Sequence, residues 1–227
     1  GFVGRLTSTL GKIGLAAVGV KAVAGAVVGL GKAMLDPIKL ASDLNESQNK
    51  ANVVFGKSIK VIDEFAAGSA QALGLSKRAA YEAAGTYGNL FRTMGMGEVD
   101  AANMSKGVLK LATDLGSFNN LGTDDVLEKI RSGLVGESEP LRSLGINLTE
   151  AAVAQEAVNL GLAKNVKNVS EAAKVRARLS LITKQAATAE NDFAETSTGL
   201  ANAQRIIGAS FEDIQTTIGQ KVLPVLA

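Results

Sequence analysis

The chain contains no cysteine and no histidine among its 227 residues. Without cysteine it has no disulfide framework, no thiolate nucleophile and no cysteine-ligated metal site. Without histidine it has no imidazole base or ligand, which excludes Ser-His-Asp and Cys-His hydrolases and the histidine-ligated zinc hydrolases. A glycosidase that uses two carboxylates remains a formal possibility, but no spacing of the acidic residues supports one. The sequence therefore predicts a protein that is not an enzyme and that uses no cofactor or metal.

Aromatic residues are also scarce, at 4% of the chain, and tryptophan is absent. The 24 basic and 22 acidic residues nearly balance, so the strongly basic composition typical of nucleic-acid-binding domains is missing. We therefore expect no sequence-specific nucleic-acid binding. Alanine-rich sequence with three prolines, punctuated by glycine, favours helices over strands. The predicted fold class is all-α, a helical bundle with one long helix at each end.

The first predicted element is an apolar, glycine- and alanine-rich helix within residues 1–35. Between Lys12 and Lys32 the only charged residue is Lys21, so a helix at residues 11–35 would be apolar nearly all round. Its length of about 34 Å would be enough to cross a bilayer. Two main interpretations stay open, burial within an assembly and membrane insertion, and a signal peptide is a third.

Small residues at steps of four predict one packing face on this helix. The candidate helix-packing residues are Gly25, Gly29 and Ala33, because small residues let two helix backbones approach closely. The chain does not begin with methionine, and we expect it to be a fragment of a longer protein.

Residues 36–118 are predicted to form a small helical bundle. Asp36 and Pro37 are typical of a helix start, which predicts a helix from residue 37 to about residue 54. Further helices are expected to begin near Ser58, Ser76 and Glu98, with a glycine stop for the first of them at Gly74. The loops between them are short, which favours antiparallel neighbours.

Residues 119–169 are predicted to contain a loop and short helices around the most distinctive stretch of the chain. This stretch, LVGESEPLRSLGI, covers residues 134–146. Its pattern predicts a tight turn at Gly136, a short helix with Pro140 near its start, and a stop at Gly145.

Residues 170–227 are predicted to form a long coiled-coil-like helix or a helical hairpin. Apolar residues recur here at a period near 3.5, which is typical of a left-handed coiled-coil seam. The candidate seam residues are Val175, Leu179, Ile182, Phe193, Leu200, Ile207, Phe211, Ile214 and Ile218. An unbroken rod would be about 75 to 80 Å long. Thr196 and the Thr198-Gly199 pair weaken the pattern, so a bent rod or a hairpin is an alternative.

The C-terminal part of the chain resembles phage tail tape measure proteins, the minor tail proteins of long-tailed phages. The likeness lies in residues 134–146, in NLTEAAVAQEAVNLGL at residues 147–162, and in the tract from DFAETSTGL to KVLPVL at residues 192–226. It covers residues 130–227 well and the preceding bundle loosely, and it identifies no active site.

The resemblance implies a structural role in the virion, in the lumen of the tail tube or at the tail tip. In that family, helical chains associate in three or six copies, chain length sets tail length, and the protein leaves the tube as DNA is ejected. The implied partners are further copies of the chain, tail tube and tail tip proteins, tail assembly chaperones and the host membrane during infection. The competing hypothesis, which depends on residues 11–35, is a membrane-active or pore-forming helical module.

Overall fold

The computed structural model describes the backbone of residues 20–226 and, within that range, the side chains of residues 36–222. Every regular element in this range is helical, which confirms the predicted all-α class. Nine α-helices are described: α1 (Val20–Phe55), α2 (Ile59–Leu73), α3 (Lys77–Thr93), α4 (Glu98–Phe118), α5 (Thr123–Val135), α6 (Glu150–Asn159), α7 (Glu171–Gln185), α8 (Asp192–Glu195) and α9 (Leu200–Leu226). Three 3₁₀ turns join them, at Gly56–Ser58, Glu139–Leu144 and Ala187–Ala189.

The described residues fall into two compact units, and the divisions lie inside α1 and α9. Residues 46–211 form one unit, called here the core unit. Residues 20–45 and 212–226 belong to the other, called here the helical pair. The boundaries at residues 118 and 169 stay predictions. In the core unit, α4 packs against α3, α5 and α8, and α5 packs against α7.

The predicted helix start at Asp36-Pro37 is also wrong. Helix α1 runs without a break from Val20 to Phe55 and contains Pro37 in its interior. An interior proline removes one backbone hydrogen bond and costs about 3 kcal/mol. Helix-forming residues on both sides of Pro37 and the burial of its ring outweigh this local penalty.

The helical pair is closely packed where α1 meets α9. A Cβ atom on Gly219 would overlap the carbonyl oxygen of Pro37 and would approach the Cβ of Ala41 to 3.0 Å. Only glycine leaves room for this contact between backbones.

The predicted apolar helix at residues 11–35 lies only partly within the described range. Residues 11–19 are outside the described residues, and residues 20–35 are described by their backbone alone, as the first part of α1. The packing of Gly25, Gly29 and Ala33 is therefore outside the description as well. Within the described part of the chain, no helix has both the length and the apolar character that a membrane span needs.

The local signals in the core unit are confirmed at helix ends. Helix α2 ends at Gly74, which takes the left-handed conformation with φ +62°. The Ser76 hydroxyl accepts a hydrogen bond of 3.2 Å from the Ala79 backbone N–H and caps the start of α3. The core around these helices is aliphatic and aromatic, with fully buried side chains that include Phe55, Ile62, Phe91, Leu109 and Ile130.

Gly88 of α3 marks the tightest described contact between α3 and the end of α1. A Cβ atom at this position would overlap the ring of Phe55, which is fully buried, and would lie 2.8 Å from Val54 Cγ1. The close approach of the two helices therefore depends on the missing side chain.

We expect Gly88→Ala to lower the free energy of unfolding by about 1–2 kcal/mol, because overpacking forces the Phe55 ring to move. The matched control is Gly107→Ala on α4, where nothing lies within 4 Å of the added methyl group. That change should raise stability by about 0.5–1 kcal/mol through helix propensity alone. Urea unfolding of both variants checks the pair. Equal effects of the two substitutions would contradict the close contact at Gly88.

The stretch at residues 134–146 forms the predicted turns. Gly136 has φ +109°, a 3₁₀ turn follows at Glu139–Leu144, and Gly145 has φ +76°. The side chains of Leu134, Leu141 and Ile146 are buried. Leu141 packs directly on Gly133 of α5, where a Cβ atom would overlap the leucine side chain. The stretch is therefore a compact cap over one end of α5.

Candidate interaction surface

The predicted coiled-coil seam is interrupted between α7 and α9. Helix α7 ends at Gln185, and a 3₁₀ turn and the short helix α8 precede the start of α9 at Leu200. The long C-terminal helix is present, but the unbroken rod that the sequence left open is not. The direction of the chain changes at Asn191, which takes a left-handed conformation with φ +65°. The carboxylate of Asp114 on α4 accepts the backbone N–H groups of Asn191 (3.1 Å) and Phe193 (3.4 Å) and fixes this turn.

Seam residues before the break belong to the packing of the core unit itself. Val175, Ile182 and Phe193 are fully buried, and Leu179 is half-buried. In the described structure, these four residues therefore do not form an exposed surface for a partner.

Seam residues after the break lie on the surface. Leu200, Ile207 and Phe211 belong to the core unit, and Ile214 and Ile218, farther along the same helix, belong to the helical pair. All five are between 43% and 77% exposed. Within the core unit, the positions of Leu200, Ile207 and Phe211 share one side of a helix with 3.6 residues per turn, and we call these three residues the outer stripe of α9.

The opposite side of α9 carries small or polar residues, and these are the buried ones. Asn202 and Ala209 in the core unit are seven residues apart, and each is less than 10% exposed. At about 100° per residue, this row is half a turn away from the outer stripe. In the core unit, this helix therefore leaves Leu200, Ile207 and Phe211 exposed and buries Asn202 and Ala209 on the other side.

The start of α9 is held on the core unit by hydrogen bonds. The side-chain amide of Asn202 donates to the hydroxyl oxygens of Ser117 (2.7 Å) and Thr196 (2.8 Å). The guanidinium of Arg205 donates to Asn202 Oδ1 (3.1 Å) and to the carbonyl oxygen of Leu121 (2.9 Å). Such bonds fix the orientation of the helix without needing its apolar residues. The outer stripe is left available for another contact.

The positions beside the outer stripe are free of charge. Gly208 and Ser210 of the core unit occupy two of the places that flank the seam in a coiled coil, and Gln204 lies within the stripe. Charged residues at flanking positions normally select an oppositely charged partner helix or repel an identical one. Identical copies of α9 can therefore meet along this stripe without like-charge repulsion.

The carboxylate of Glu156, a polar feature separate from α9, lies between α6 and α7. Its side chain is only 5% exposed and accepts hydrogen bonds from Lys184 Nζ (2.7 Å) and Ser180 Oγ (2.6 Å). The hydrogen bond from Lys184, followed by that from Ser180, holds the pKa of the Glu156 carboxyl below its ordinary value. This pair was not predicted from the sequence, because its members are 28 residues apart and share no motif.

The lowered pKa of Glu156 makes the stability of the core unit pH-dependent. As the pH falls, the Glu156 carboxyl takes up a proton in the unfolded chain before it does so in the folded chain. The stabilisation that ionised Glu156 contributes is therefore present above about pH 4.5 and is lost as the pH falls through the pKa of Glu156 in the folded chain. We expect Glu156→Gln to have a smaller loss of unfolding free energy between pH 5 and pH 3 than the parent chain. Denaturant unfolding at several pH values measures this slope. An unchanged slope in the variant would contradict the role of Glu156.

The core unit also contains an open apolar groove. A cavity of about 670 Å³ is an open groove of the core unit lined by apolar residues such as Phe65 and Phe193, with Lys106 and Lys110 beside them. Among the described residues, no group of three or more acidic side chains is placed to hold a metal ion. The outer stripe of α9 is therefore the best candidate for a functional surface.

Comparison with known protein families, curated proteins and solved structures finds no match to this chain.

Proposed function

We propose that this chain is a structural component of a phage tail, a part of a tape measure protein, and that its copies associate along the outer stripe of α9. The single observation that supports this proposal best is the exposure of Leu200, Ile207 and Phe211 along one side of α9, opposite the buried Asn202 and Ala209. A tail protein that works as a multimer needs such a surface, whereas a monomeric protein gains nothing from it.

The size of the stripe favours more than two copies. Burying a leucine, isoleucine or phenylalanine fully contributes about 1.5–3 kcal/mol, and partly exposed side chains contribute about 1 kcal/mol each. Association costs about 4–15 kcal/mol in lost freedom of motion. Three side chains per copy do not offset this cost in a pair. Three or six copies around a common axis, the numbers implied by the resemblance, bury more of each stripe.

The proposed setting is the lumen of the tail tube or the tail tip. There the helical chains would contact tube and tip proteins, after delivery by tail assembly chaperones. The role is scaffolding during tail assembly, with chain length setting tail length, and release during DNA ejection. No catalytic step is proposed for the chain.

Quantitative mass spectrometry of purified phage particles tests this function. Isotope-labelled peptides from the core unit serve as standards, and the major tail tube protein, measured in the same sample, serves as the internal reference. We expect peptides of this chain in purified tails at three or six copies per particle. Their presence in infected cells together with their absence from tails would overturn the proposal.

A further inference from the structure

The loop of residues 160–169 joins α6 to α7, which pack against each other, and it lies at one end of this helix pair. Its conformation is fixed by local hydrogen bonds. The Leu162 N–H donates to the carbonyl oxygen of Ala157 (2.9 Å), which closes the end of α6. The side-chain oxygen of Asn165 accepts the backbone N–H groups of Lys167 (3.0 Å) and the next residue (3.2 Å). The loop therefore presents its side chains in a defined arrangement.

Three aliphatic side chains of this loop face solvent. Leu160, Leu162 and Val166 are between 37% and 47% exposed. Two other apolar residues, Ala163 and Val169, pack inward against the buried cluster between α6 and α7. The inward residues anchor the loop, so the outward ones have no part in that cluster.

The charge of the loop is entirely positive. Lys164 and Lys167 stand on either side of Val166, and no acidic residue occurs between Glu156 and Glu171. Neither lysine forms an ion pair with another described residue. Aliphatic side chains beside free lysines are the combination that binds at the surface of an anionic membrane.

We propose that residues 160–169 form a peripheral binding site for anionic lipid surfaces. The aliphatic side chains would enter the headgroup region while the two ammonium groups contact lipid phosphates. This inference is independent of residues 11–35 and of the proposed tail function.

The small size of the loop favours a lipid surface over a protein partner. A stable protein interface buries about 800 Å² on each side and involves 20–30 residues, which is more than a single short loop can supply. A bilayer surface does not have to match the shape of the protein. Apolar side chains that project from the end of a helix pair can enter it. Each lysine near an anionic surface strengthens binding about fivefold, and several copies in one assembly add avidity.

A site-specific probe tests the loop within the full chain. The chain has no cysteine, so Asn168→Cys introduces a single labelling site for an environment-sensitive dye, and Val53→Cys gives a matched control at a position that is 87% exposed. Vesicles of phosphatidylcholine with 30% phosphatidylglycerol are titrated against both labelled proteins. We expect a blue shift for the dye in the loop and none for the control dye.

Two further variants separate the contribution of the lysines from that of the aliphatic side chains. Lys164→Ala should raise the lipid concentration at half-binding about fivefold, and Leu162→Asp with Val166→Asp should abolish the blue shift while the circular dichroism spectrum is unchanged. The lysine variant changes only an exposed side chain, so it tests the proposal even if the double variant misfolds. An unshifted loop dye on vesicle-bound protein, an equal shift with pure phosphatidylcholine, or an equal shift with duplex DNA would each overturn the proposal.

Discussion

Phe211→Glu is expected to prevent the proposed self-association along α9. Phe211 lies in the outer stripe of α9, one turn after Ile207. A buried aromatic residue at the centre of an interface commonly contributes 2 kcal/mol or more to binding. Glutamate removes that contact and places a carboxylate in the same seam of every copy, where neither water nor a counter-charge compensates it. The dissociation constant should therefore rise by more than about 30-fold.

Sedimentation equilibrium of the full chain over a range of concentrations measures this change. The matched control is Val53→Glu, which introduces the same charge at an exposed valine of the core unit that is outside α9. Both variants keep residues 1–35, so any association through that segment affects them equally. A wild-type protein that is monomeric at high concentration, or a Phe211→Glu variant that associates as strongly as the control, would contradict self-association along α9.

Leu141→Ala should lower the free energy of unfolding by about 3 kcal/mol, the second large effect that we expect. Leu141 is fully buried in the 3₁₀ turn that caps α5, and truncating a buried leucine leaves a cavity that the surroundings fill only partly. Since its side chain lies directly on Gly133, a methyl group at residue 133 would occupy part of that cavity.

The double variant Gly133→Ala with Leu141→Ala gives a sharper test than either single change. Gly133→Ala alone should cost about 1–2 kcal/mol, because the methyl group overlaps Leu141. Together the two changes should cost at least about 1 kcal/mol less than the sum of the single costs, since residues in contact are not additive. Urea unfolding of the four proteins in this cycle gives the coupling energy. Strict additivity would show that the two residues do not pack on each other.

Helix ends and turns were predictable from the sequence because their chemistry is local. A serine hydroxyl at residue 76 can reach the N–H three residues later, whatever the rest of the chain does. Gly74, Gly136 and Gly145 each take a left-handed conformation that costs other residues energy. The same local reasoning failed at Pro37, where burial and the helix-forming neighbours on both sides outweighed the penalty of an interior proline.

Most of the polar residues that hold the core unit together were not predictable. Asn202, Arg205 and Glu156 each make contacts at sequence separations that no local motif reveals. The sequence contained a weak indication that Arg178 is buried, because this charged residue lies among positions of α7 that face inward. The structure shows it buried, donating to the carbonyl oxygen of Leu134 at 3.1 Å and to Glu150 at 2.9 Å.

Composition and periodicity were enough to establish an all-α chain and to identify which apolar residues share a side of a helix, because both depend on backbone geometry within a few turns. They could not show what covers each side, since that depends on distant parts of the chain. Val175 and Phe211 belong to the same 3.5-residue pattern, yet one is inside the core unit and the other is on its surface. The turn at Asn191, fixed by the distant carboxylate of Asp114, separates the two, and only the tertiary structure decides it.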